Sequence, residues 1–87
     1  MNCFVIIRKI ERLECSLTGY LRFNLLCEFE DGKFRYIRNR LNNELIKKFC
    51  NLKVGDFIHV LIHVPFDYEW FSLDDKPDFI CDDIFTL

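Results

Sequence analysis

The stretch "CEFEDGKFRYIR", Cys27 to Arg38, constrains the fold more than any other part of the chain. From Tyr20 to Glu30 the residues alternate: Leu21, Phe23, Leu25, Cys27 and Phe29 point one way, and Tyr20, Arg22, Asn24, Glu28 and Glu30 the other, with Leu26 as the exception. A period of two is the mark of a strand with one buried face. Asp31-Gly32 follows at once and is a strong hairpin signal, because a type I′ turn needs positive φ at both central residues. A two-residue turn there predicts Glu30 opposite Lys33, Phe29 opposite Phe34, Glu28 opposite Arg35, Cys27 opposite Tyr36 and Leu26 opposite Ile37. One hairpin face would then be Phe/Phe/Cys/Tyr, the pattern of a core face. Lys33 and Arg35 would have carboxylate neighbours, whereas this register sets no carboxylate opposite Arg22, Arg38 or Arg40. Those three are therefore the arginines to consider for contact with a partner.

The rest of the chain also reads mainly as strands. Cys3 to Leu13 alternates, with Phe4, Ile6 and Ile10 on the face of Arg8 and Arg12, and Val5, Ile7 and Leu13 opposite. "SLTG" is a loop. Asn42 or Asn43 caps a short helix, "NELIKKFCN", in which Leu41, Leu45, Phe49 and Leu52 recur at helical spacing and Lys47 and Lys48 face outward. "LKVGD" turns at Gly55 into "FIHVLIHVPF", where Ile58, Val60, Ile62 and Val64 form one face and Phe57, His59, Leu61 and His63 the other. On a strand, His59 and His63 stand about 13 Å apart, too far to share a metal ion, and no metal site is expected. "PFDYEWFSLDDKPD" is acidic, aromatic and broken by two prolines, the composition of a surface loop or short irregular strand. "DFICDDIFTL" is either a final strand, with Phe79, Cys81 and Ile84 inward, or a tail.

With 87 residues, about half of them apolar, the chain has room for one core, so residues 1–87 are read as one small β-barrel domain with an acidic aromatic segment over 65–87. Its longest apolar runs, "CFVII" and "VLIHV", fall far short of the roughly 20 residues that span a bilayer, and no membrane role is expected. The N-terminal sequence lacks the basic start and small-residue cleavage site of a signal peptide, which points to the cytoplasm. Cys3, Cys15, Cys27, Cys50 and Cys81 show no metal-ligand spacing and are expected as small apolar residues. The absence of Ala and Gln beside plentiful Phe, Ile and Asn suits an AT-rich coding genome such as that of many phages. Charge is polarised: Met1 to Lys53 holds eleven Lys/Arg against six Asp/Glu, and Val54 to Leu87 one against eight. Such asymmetry points to nucleic-acid or protein partners, or to faces that pair with each other.

The order long strand, hairpin, short helix, strand, final strand resembles the OB-fold, a five-stranded Greek-key barrel with its helix between the third and fourth strands. The helix-to-strand corner "LKVGDFIHVLIHV" is similar to that of many such barrels, and also to SH3-like ones; an SH3-like barrel or a small α+β sheet is the alternative. Many OB-folds bind single-stranded nucleic acid on strands two and three, stacking bases on aromatic rings in a basic groove. By position, the resemblance implies Tyr20, Arg22, Tyr36, Arg38 and Arg40 as contacts, with Lys47 and Lys48 as outlying phosphate contacts. Tyr36, on the Phe29–Phe34 face of the expected hairpin, is read first as core. The end "CDDIFTL" is similar to the acidic, Phe-containing tips of single-stranded-DNA-binding proteins, although a closing β-strand is the preferred reading of these seven residues.

No nucleophile elbow, phosphate-cradling glycine loop or zinc-protease signature is present, so catalysis and cofactors are not expected. Two functional readings follow. The first is a non-catalytic protein binding single-stranded DNA or RNA on the barrel face. The second is a protein-interaction module, such as a phage- or mobile-element-encoded modulator of a host complex that imitates nucleic acid, acting through Tyr68, Trp70, Phe71, Asp74 and Asp75. The high apolar content for this length also raises a homodimer.

Overall fold

The computed structural model describes residues 1–14, 19, 21–69 and 76–85; Cys15, Tyr20, Trp70, Phe71, Asp74 and Asp75 lie outside them. The elements are β1 (Asn2–Glu14), β2 (Leu21–Phe29), β3 (Phe34–Asn39), α1 (Asn43–Cys50), β4 (Phe57–His63), a 3-10 turn (Asp67–Glu69) and β5 (Phe79–Phe85). The strands close into a barrel in the order β1-β2-β3-β5-β4, and β4 pairs back onto β1. Every pairing is antiparallel except β3 with β5, which runs parallel over Ile37–Asn39 and Phe79–Cys81. A five-stranded closed barrel with one short helix between β3 and β4 is therefore the architecture present, and "FICDDIF" forms a closing strand.

The hairpin differs from expectation by one residue. Leu25 pairs with Ile37, Leu26 with Tyr36, Cys27 with Arg35 and Glu28 with Phe34. The loop has three residues rather than two: the Phe29 N–H donates to Lys33 O at 3.0 Å and the Gly32 N–H to Phe29 O at 2.9 Å. Only Gly32 takes positive φ, at 80°, so Asp31 avoids the left-handed conformation that a type I′ turn would impose on it. Asp31 instead accepts from the Arg35 guanidinium at 2.7 Å and from the Lys33 N–H at 2.9 Å. Those bonds, Arg35's first, hold its carboxyl down at about 2.

A slip of one residue turns every side chain of β3 to the opposite face. Ile37 now fills the core, and Phe34 and Tyr36 stand outward, 54% and 39% exposed. The expected Phe/Phe/Cys/Tyr core face does not form. Arg35 lies over the Phe29 ring, 4.8 Å from its centroid, and Glu28 pairs with Arg8 at 2.9 Å.

Two bulges correct the long strands in the same way. In β1, Ile7 faces Cys27 but Lys9 faces Leu26, so Arg8 is the extra residue and the inward side switches from Val5 and Ile7 to Ile10. In β5, Leu61 faces Asp83 but Ile62 faces Cys81, so Asp82 is the extra residue.

The core gathers Phe23, Leu25, Cys27, Ile37, Ile58, Val60, Ile62, Cys81 and Ile84 from the strands, and Leu45 and Phe49 from α1. Asn42 caps that helix as expected, accepting from the Leu45 N–H at 3.1 Å. Cys27 and Cys81 are core residues whose thiols burial pushes up to about 12, while Cys50 is exposed and Cys3 half-buried. Val64, expected to share a face with Ile58, Val60 and Ile62, lies beyond β4 and is exposed.

Candidate functional site

The outward residues of the sheet fall into rows. Lys9, Leu26 and Tyr36 form one, and Glu11, Asn24 and Arg38 the next. Arg38 is only 4% exposed, and its Nε donates to Asn24 Oδ1 at 2.9 Å. Asn39 points inward beside it. Its Oδ1 accepts from the Phe23 N–H at 2.6 Å and its Nδ2 donates to Leu21 O at 3.1 Å, tying the end of β3 to the start of β2. These bonds keep β3 in place at the point where Arg38 and Arg40 emerge on either side of Asn39.

Arg22, Arg38, Arg40 and Tyr68 line a common cleft of about 240 Å³, with Glu69 and Ile80 on its far side. The lining holds three guanidiniums against one carboxylate, so it is locally positive although the chain's net charge is −2. A second hollow, about 510 Å³, continues from Arg40 and Tyr68 toward Phe66, His63 and Asp82. Tyr68 is 84% exposed, and its ring stacks on Phe66 with centroids 5.7 Å apart.

His63 fastens the wall that carries Tyr68. Its Nδ1 lies 2.7 Å from Asp82 Oδ2 and its Nε2 lies 2.8 Å from Glu69 Oε1, while the same Glu69 oxygen accepts from the Phe66 N–H at 2.7 Å. The bulge that makes Asp82 the extra residue of β5 allows this carboxylate to reach the ring. Only the imidazolium donates from both nitrogens. Desolvation works against that charged form, but the hydrogen bonds it donates to Asp82 and Glu69, and their negative charge, outweigh it and raise the His63 pKa above its ordinary 6.5.

A group raised on folding adds stability in full below its unfolded value, and that stability is lost as pH climbs through the folded value. Urea midpoints of the native protein should therefore fall as pH rises above 6.5, relative to those of His63→Gln. A constant difference between the two proteins across roughly pH 5.5 to 8.5 would contradict the two-carboxylate clamp.

The structure thus brings together Arg22, Arg38 and Arg40 from one functional expectation and Tyr68 from the other. Tyr36 stands on the outer sheet beside the cleft. Lys47 and Lys48 do not line it; Lys48 instead donates to Asp83 at 2.7 Å and to Ile84 O at 3.2 Å. The expectation that these arginines have no carboxylate neighbour is corrected for Arg40. Arg38 bonds Asn24, Arg40 lies 3.9 Å from Asp82, and Arg22 has a partner within the fold.

Asn24, Asn39, His63, Glu69 and Asp82 were not singled out from sequence as parts of this site, and Phe34 was assigned to the core. For neither Asn39 nor Asp82 was there a signal: the expected register puts Asn39 on the outer face, and the bulge at Asp82 appears only in the pairing. Among the described residues no group of three His, Cys, Asp or Glu side chains is placed to hold a metal ion. No described helix is long and apolar enough to cross a membrane. Compared with known proteins, the chain matches no family model, no curated protein and no solved structure, so what the cleft binds has to be argued from its own side chains.

Proposed function

We propose that this protein binds single-stranded nucleic acid along the outer side of β2 and β3, with the strand continuing into the arginine cleft. The observation that carries the reading is the register of β3, which puts Phe34, Tyr36 and Arg38 outward in one file ending at the cleft. Exposed rings offer stacking surfaces to unpaired bases whatever their sequence, and guanidiniums beside them neutralise phosphates. Arg40, whose side chain is mostly exposed, is the arginine best able to reach a phosphate; Arg38 acts from beneath, as a fixed positive charge.

The test is fluorescence anisotropy with labelled single-stranded DNA, single-stranded RNA and duplex at low and physiological salt. Tyr36→Ala should weaken single-strand binding by about 5- to 150-fold, the loss of one base–aromatic stack. Arg40→Ala should reduce the slope of log affinity against log salt by about 0.7, the value for one phosphate contact on a single strand. Absence of binding even at low salt would overturn the proposal. The exposed Phe66–Tyr68 stack favours a second reading, a protein-binding surface, and that result would direct attention to it.

A further inference from the structure

A different side of the barrel carries an aromatic cluster that the nucleic-acid reading leaves unused. Phe4 of β1 and Phe85 of β5 flank His59 of β4, with ring centroids 4.5 and 4.9 Å from the imidazole. Phe57, two residues before His59, stacks on Phe4 at 5.5 Å with planes 13° apart. All four lie on the outer face, and Phe57 is 54% exposed. We propose that this cluster is the contact face of a homodimer, and that the surface covering it is a second copy of this chain.

Charge argues for a copy rather than for nucleic acid or a charged protein. The cluster itself contains no Asp, Glu, Lys or Arg side chain. At its borders Lys48 pairs with Asp83 at 2.7 Å and Arg8 with Glu28 at 2.9 Å, while Asp56, next to Phe57, accepts from the Lys53 N–H at 2.9 Å. Two cations, Lys48 and Arg8, stand against three carboxylates, Asp83, Glu28 and Asp56, so a phosphate backbone would gain no net positive charge here, whereas a second copy would bring only a small like charge to the contact. An apolar centre with a polar rim is also the usual anatomy of a protein interface.

Shape points the same way. A recess of about 300 Å³ lies beside the cluster, lined by Leu52, Phe57, Ile58, Ile84 and Phe85 together with Lys48, Asn51 and Asp56. It has room for a phenyl ring, so one face bears both a projecting Phe57 and a hollow for its counterpart. A two-fold contact requires such self-complementarity, since each copy must supply both halves. The barrel is closed around β1 and β4, so these strands offer no edge for pairing and the contact has to be made by side chains.

Sedimentation equilibrium tests the proposal. The native chain should dimerise, and Phe57→Glu should weaken self-association by at least about 30-fold, the effect of losing a central aromatic anchor. Phe34→Glu, an exposed ring on the β2–β3 side, should dimerise like the native chain. Because both positions are exposed, far-ultraviolet circular dichroism should show both variants folded. A native chain that stays monomeric at about 1 mM, weaker than any specific dimer of use, overturns the proposal and leaves the cluster to another protein. Equal weakening by both substitutions overturns it as well. Nucleic-acid binding by Phe57→Glu is read separately, so the dimer and the nucleic-acid reading can fail independently.

Discussion

Phe49→Ala is expected to lose about 3–5 kcal/mol of stability, the range for removing a buried ring and leaving its cavity. Phe49 is 1% exposed and meets Phe23 of β2 with ring centroids 5.5 Å apart. It and Leu45 are the only fully buried residues of α1, an eight-residue helix too short to persist without packing. The substitution therefore takes away much of what holds the helix to the barrel. A single small core supplies only about 3–5 kcal/mol in chains of this size, so the variant should be largely unfolded at 37 °C. Phe49→Leu, which keeps most of the volume, should remain folded. Urea titration followed by circular dichroism checks both, and a loss below about 1 kcal/mol for Phe49→Ala would mean that the helix does not seal the barrel.

Asn39→Leu should destabilise by about 2–4 kcal/mol, because it strands a buried donor and a buried acceptor at about 1–3 kcal/mol each. The donor is the Phe23 N–H, now bonded at 2.6 Å, and the acceptor is Leu21 O at 3.1 Å. The site should respond too, since Arg38 and Arg40 flank the residue that anchors this end of β3. Measured at a temperature where the variant remains folded, single-strand affinity should fall, whereas a core substitution remote from the cleft, such as Ile58→Val, should leave it unchanged. Native-like stability in Asn39→Leu would show that β3 is held by its pairing with β2 and β5 alone.

Much of the architecture was legible in the chain. The alternation from Leu21 to Phe29 marks β2 and its inner face, Asn42 marks the start of α1, and the β-branched run after Gly55 marks β4. The placement of β3 was not legible to one residue, because Asp31-Gly32 is compatible with a two-residue or a three-residue loop. That difference carried Tyr36 from the expected core to the surface. Nor could the sequence indicate that Tyr68 would face Arg22 and Arg40 across a cleft, or that His63 would lie between Asp82 and Glu69.

By itself the sequence determined which segments become strands, where α1 begins, and which face of β2 is buried, because these follow from local periodicity and from caps and turns a few residues long. Tertiary structure alone decided the register of β3, the two bulges and the composition of the cleft. Alternation specifies that a strand has two faces but not its neighbours. That choice is made when the barrel closes, under the joint demands of the strain-free turn at Gly32, the volume available to Ile37, and the pairing of β3 with β2 on one side and β5 on the other.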